Sequence, residues 1–94
     1  MLRFSVQLTE RAADDLDQVP IEIRKEILSD IRQLSSAPFP TGTQVKKLKG
    51  FRPPLYRLRT GDYRVIYQVE ARAILVLRVI NRKDLERIIK GLKF

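Results

Sequence analysis

The sequence predicts a single α+β domain over residues 1–94: a small antiparallel sheet, an N-terminal helical hairpin packed on one of its faces, and a C-terminal helix. Three observations predict it. Apolar residues alternate strictly at the start, then recur with helical spacing, and from Thr41 onward fall into β-rich runs separated by turns. A chain of 94 residues has room for one core, and a core of this size buries roughly 60–65% of the unfolded surface. The resulting order is β-α-α-β-β-β-α, with about four strands and no internal repeat.

Each element has its own local cause. Leu2, Phe4, Val6 and Leu8 alternate with Arg3, Ser5 and Gln7, the pattern of a half-buried strand. Thr9 is a good N-cap, and Glu10 follows where the helix dipole favours a carboxylate. Ala12, Ala13, Leu16 and Val19 then form a helical stripe, with Asp14, Asp15 and Asp17 expected in water. Pro20 suits the first turn of a second helix, whose buried face is predicted as Ile23, Ile27, Ile31 and Leu34, with Leu28 beside it. Pro38-Phe39-Pro40 ends it. Val45 to Leu48 is a candidate short strand, and Gly50 to Pro54 is too proline-rich for a central one. Tyr56 to Arg59 and Tyr63 to Val69 are strands joined by the turn Thr60-Gly61-Asp62. After Glu70-Ala71-Arg72, the run Ile74 to Ile80 is apolar at both parities, as in a strand covered on both faces. Lys83 to Leu92 returns to a helical pattern.

Composition narrows the chemistry. There is no cysteine and no histidine, so no thiolate metal site, no disulfide framework and no imidazole base can form. The expectation is a cytoplasmic protein without metal or other cofactor, and no run approaches the length of a membrane span. The net charge is +8, and it is segregated. Met1 to Ala37 carries 5 basic and 7 acidic residues, whereas Pro38 to Phe94 carries 14 basic and 4 acidic ones. Solubility alone does not require such segregation; a polyanion-binding surface in the C-terminal half does.

The turn at Gly61 predicts which side chains share that surface. In a two-residue hairpin loop Thr60 pairs with Tyr63 and Arg59 with Arg64. Arg57, Arg59 and Arg64 then lie on one face, and Tyr56, Leu58, Val65 and Tyr67 on the other, against the helices. Like charges at opposed positions repel, so such a cluster suits an anion. Lys46, Lys47 and Lys49 precede the hairpin and Arg78, Arg82 and Lys83 follow it, which together favour nucleic acid over a merely solvated face.

Lys47-Leu48-Lys49-Gly50, the hairpin Leu55 to Tyr67 (LYRLRTGDYRVIY) and Val79-Ile80-Asn81-Arg82-Lys83-Asp84 resemble the RelE/ParE toxin superfamily. The resemblance implies a RelE-like fold and a toxin of a type II toxin-antitoxin system. For RelE-like members it implies metal-free mRNA cleavage in the ribosomal A site by 2′-hydroxyl attack; for ParE-like members it implies a non-enzymatic protein that binds and poisons DNA gyrase. Carried over by position, Arg57 and Arg59 lie on the strand hosting the base, Arg64 braces the phosphate, and Arg82 stabilises the transition state. Lys46, Lys47, Lys49, Arg78 and Lys83 are the expected RNA contacts. The implied partners are the ribosome, mRNA and an acidic RelB-like antitoxin. Three positions depart from the pattern. Arg57 stands where active members use lysine, Asn81 where many have histidine, and Leu85-Glu86-Arg87-Ile88 lacks the usual tyrosine. Glu86 and the C-terminal Phe94 are secondary candidates for proton transfer and base stacking; Tyr63 and Tyr67 are expected in the core.

Overall fold

Thr9 caps the first helix as its chemistry suggests, its hydroxyl accepting the Ala12 N–H at 3.1 Å. In a computed structural model that describes residues 3–40 and 42–91, this cap joins strand β1 (Ser5–Leu8) to helix α1 (Glu10–Asp17). Pro20 stands at the cap position of α2 (Ile21–Gln33), one residue before the helix proper. Strands β2 (Val45–Leu48), β3 (Leu55–Thr60), β4 (Tyr63–Glu70) and β5 (Ala73–Asn81) follow. A 3₁₀ turn (Arg82–Asp84) leads into α3 (Leu85–Gly91). Leu2 and Phe94 lie outside the described residues. Among those described, no helix is long and apolar enough to cross a membrane.

The strands form one sheet in the order β1-β5-β4-β3-β2, which makes five strands where about four were expected. β2, only a candidate strand in the sequence, accounts for the difference. β1 departs from the expected antiparallel sheet in another way: it pairs in parallel with β5, Ser5 opposite Ala73 and Leu8 opposite Val76, while every other pairing is antiparallel. A parallel neighbour requires a long crossover, and α1, α2 and β2 to β4 all lie between the two.

One face of the sheet meets the helical hairpin. Val45, Leu58, Val65, Val76 and Val79 pack with Leu16, Ile27, Ile31 and Leu34 in the main core. The ring of Tyr67 is fully buried there, stacked on Tyr56 at 5.6 Å, and its hydroxyl donates to the Pro38 carbonyl at 2.7 Å. Two helix positions differ from the apolar count. Ile23 is 39% exposed, because the buried face begins only with Ile27, and Ala13 is exposed while Ala12 is buried. Asp15, expected in water, lies on the stripe between Ala12 and Val19 and is largely shielded.

The opposite face carries a second, smaller apolar cluster. Leu55, Ile66 and Ile80 are buried under Leu48, Phe51 and Leu77 and under Leu85 and Ile88 of α3. This second layer explains why β5 is apolar at both parities.

The phenol of Tyr67 hydrogen-bonds the segment that ends the helical hairpin. Replacing Tyr67 with Phe leaves the Pro38 carbonyl unpaired in the interior. The expected loss is ~1–3 kcal/mol of unfolding free energy, read as a lower urea midpoint with an unchanged slope.

Candidate functional site

Four arginines meet at the turn end of the sheet's second face. The hairpin register is Thr60 opposite Tyr63 and Arg59 opposite Arg64, with Arg57 opposite Ile66 one step along on the same side. Lys46 of β2 pairs with Arg57 and extends the row to the sheet's edge. Arg82 joins from the end of β5. Its backbone N–H donates to the Asp62 carbonyl at 2.8 Å, and its Nε lies 3.7 Å from the Asp62 carboxylate. Both side chains of that ion pair are mostly exposed, so the pair holds Arg82 weakly.

Arg64 is the best-held member. Its Nη1 donates to the carbonyls of Gly61 and Tyr63, at 2.9 Å each. Burial depresses its pKa below the ordinary guanidinium value, as do the charges of Arg57, Arg59 and Arg82; Asp62 acts in the opposite direction. Arginine keeps its proton at neutral pH even so. The Nε atoms of Arg57 and Arg64 are buried and without a hydrogen-bond partner. The outcome is a permanent positive cluster with more charge than its surroundings neutralise. A bound phosphate, or a phosphorane with its extra negative charge, would relieve that repulsion.

The remaining candidates divide. Lys46 shares the arginine face, but Lys47 pairs with Tyr56 and so belongs to the helical side. Lys49 follows β2 in an exposed turn, and Lys83 is exposed in the 3₁₀ turn. Arg78 is drawn away from the arginine face. Its Nε and Nη2 bind the two carboxylate oxygens of Asp15 at 2.8 and 3.1 Å, so its charge is already matched by α1. Asn81, which stands where many members of the family have histidine, uses its carboxamide oxygen to accept the Lys83 N–H at 3.0 Å. Glu86 lies exposed in the first turn of α3. Tyr63 packs against the main core, and burial raises the pKa of Tyr67, so neither phenol belongs to the arginine cluster. Among the described residues, no group of three or more carboxylates gathers as a metal site. Sequence reasoning missed Asp62 as the partner of Arg82 and Asp15 as that of Arg78. The Asp15 signal was present in the spacing of Ala12, Asp15, Leu16 and Val19.

The family described as ParE toxin of type II toxin-antitoxin system, parDE, matches residues 6–90. The chain belongs to the RelE/ParE toxin superfamily. It is 37% identical over 73 residues to Toxin RelE3 of Methanocaldococcus jannaschii, covering 76% of this chain and 82% of that protein. It is also similar to a chain of the archaeal RelE-RelB complex from Pyrococcus horikoshii. That match has a TM-score of 0.74 and 31% identity, over 87% of this chain and 97% of the other. A chain of the RelBE2 toxin-antitoxin complex of Mycobacterium tuberculosis superposes with a TM-score of 0.72 at 25% identity, over 85% and 99% of the two chains. In this toxin family the arginine cluster is the candidate working surface.

The repulsion within the cluster is measurable. Arg59→Gln removes one member of a directly opposed like-charged pair and is expected to stabilise the free toxin by ~0.2–1 kcal/mol. Thermal unfolding at low ionic strength checks this, and the gain should shrink as added salt screens the pair.

Proposed function

We propose that this toxin is a ribosome-dependent mRNA endoribonuclease that inhibits translation by metal-free cleavage in the A site. The observation that carries the reading is the gathering of Arg57, Arg59, Arg64 and Arg82 at one end of the sheet, with Arg59 directly opposite Arg64 and Arg82 brought in by its backbone bond to Asp62. Cleavage proceeds by attack of the 2′-hydroxyl on the adjacent phosphorus. A P–O bond forms to the 2′-oxygen as its proton passes to water, the bond to the 5′-oxygen breaks with that oxygen taking a proton from water, and a 2′,3′-cyclic phosphate remains. Arg64, held by two backbone carbonyls, braces the phosphate. Arg82 stabilises the phosphorane from the end of β5, and Arg57 and Arg59 lie on β3, the strand that hosts the base in the family. Lys46, Lys49 and Lys83 attract the RNA backbone without reading its sequence.

Arginine is a poor base, so the acceleration here rests on positioned charge and on orientation by the ribosome. The ribosome thus belongs to the catalytic assembly. The toxin supplies the electrostatic half and the ribosome the geometric half.

A second reading, a ParE-like protein that poisons DNA gyrase without enzymatic chemistry, is favoured by Asn81. Its side-chain oxygen is occupied as a cap, and α3 carries no tyrosine to replace the missing acid.

The partner that fits either reading is an acidic RelB-like antitoxin. Similar chains are found in RelE-RelB complexes, and a +8 surface steers an acidic segment toward it. α3 covers the second apolar cluster through the half-buried Leu85 and Ile88, and an incoming apolar segment can take their place there.

Primer extension on a translated mRNA, with and without ribosomes, tests the reading. The intact toxin should produce cuts only on ribosomes, and Arg64→Ala and Arg82→Ala should each lower the cleavage rate by about 10²–10³-fold. Cuts absent under all conditions, with gyrase inhibited instead, would transfer the conclusion to the second reading.

A further inference from the structure

Arg78 and Arg82 lie four residues apart on or just beyond the same strand, yet one is neutralised by α1 and the other joins the cluster. A β-bulge lies just before Arg78 and sets the register of both. Ile66 pairs with Arg78 but the next residue, Tyr67, pairs with Val76, so Leu77 is an extra residue in β5. The extra residue reverses the parity of everything after it. Val76 and Val79 both pack in the main core, and Leu77 and Ile80 both pack in the second cluster. Ile80 therefore stands opposite Arg64, and Arg82, two residues on, emerges on the arginine side. In an unbroken strand continuing from Val76, Val79 would oppose Arg64 and Arg82 would leave the cluster.

The bulge lies where β5 has outrun its parallel neighbour, since the last pair between β1 and β5 is Leu8 with Val76. Side chains of the first helix and its cap take over there. The Thr9 hydroxyl donates to the Leu77 carbonyl at 3.1 Å. The Asp15 Oδ2 accepts the Val79 N–H at 2.9 Å and Arg78 Nε at 2.8 Å, while Oδ1 accepts Arg78 Nη2. One carboxylate thus ties down the bulge's backbone and its side chain together, in a setting where both partners are more than four-fifths shielded from solvent.

We propose that Asp15 is a positioning residue for Arg82: by clamping the bulge it sets where Arg82 emerges beside Arg64. Its consequence for cleavage rests on the ribonuclease reading; the positioning itself does not. Without the carboxylate, the Val79 N–H and the Arg78 guanidinium lose their acceptor together. The end of β5, with only the exposed Asp62 contacts to hold Arg82, then loosens.

Two measurements on the full-length toxin test this, at a temperature where every variant is fully folded. The first is amide hydrogen exchange in Asp15→Ala. Exchange at Arg82, three residues beyond the clamp, should rise by about tenfold or more, with Val65 and Ile66 unchanged. The second is single-turnover cleavage on ribosomes in a double-mutant cycle. Asp15→Ala should lower the rate about tenfold in the wild-type background, and by less than about twofold once Arg82 is alanine. A residue that served stability alone would cost the same factor in both backgrounds, which overturns the proposal. So does unchanged exchange at Arg82. If exchange rises but the wild-type toxin cuts no RNA, the ribonuclease reading fails and the positioning role stands.

Discussion

The two-residue turn at Gly61-Asp62 is the constraint on which the rest depends. Gly61 adopts a positive φ of 60°, and the turn brings Thr60 opposite Tyr63. From that pair outward, parity sorts the hairpin. Tyr56, Leu58, Val65 and Tyr67 go to the helices, and Arg57, Arg59 and Arg64 go to the far face. A slip of one residue would send an arginine row into the main core, at a cost no domain of this size can carry. Core packing and the assembly of the cationic site are therefore one event. The folding free energy that buries the tyrosines is what forces the arginines together.

That coupling accounts for the tension in the site. Most of the arginine charge near the hairpin has no acid to meet it, since Asp62 is the acid that acts on Arg64. The face is divided between this unmatched charge and the apolar cluster beneath α3. One half lacks counter-charge, and the other is covered by a short helix through Leu85 and Ile88.

Local pattern made most of this legible. The alternation at Phe4, Val6 and Leu8, the cap at Thr9, the stripe Ile27, Ile31, Leu34 and the hairpin register all follow from period and turn chemistry. What could not be read arises from contacts distant in sequence. Nothing near Ser5 announces that its strand pairs in parallel with one almost seventy residues on. Ile23 has the right spacing but lies on the helical turn before the buried face begins. Arg78 carries the same charge as its neighbours in the motif, and only the position of Asp15 on α1 takes it out of the site. The apolar run of β5 showed two covered faces, yet it could not show that the strand changes parity midway.

The departures from the family pattern acquire a physical meaning in this setting. A histidine, or a lysine whose surroundings lower its pKa, can give up a proton near neutral pH; an arginine and an asparagine cannot. With Arg57 and Asn81 at these positions the charge of the strand is kept, and Asn81 adds a cap that fixes the turn carrying Arg82 and Lys83. What a cluster of fixed charges offers an anion depends on where the guanidinium groups stand more than on their titration. Placement is what the bulge in β5 governs. The same odd residue that lets Val76 and Val79 both reach the core delivers Arg82 to Arg64, so the parity break belongs to the site as much as the arginines do.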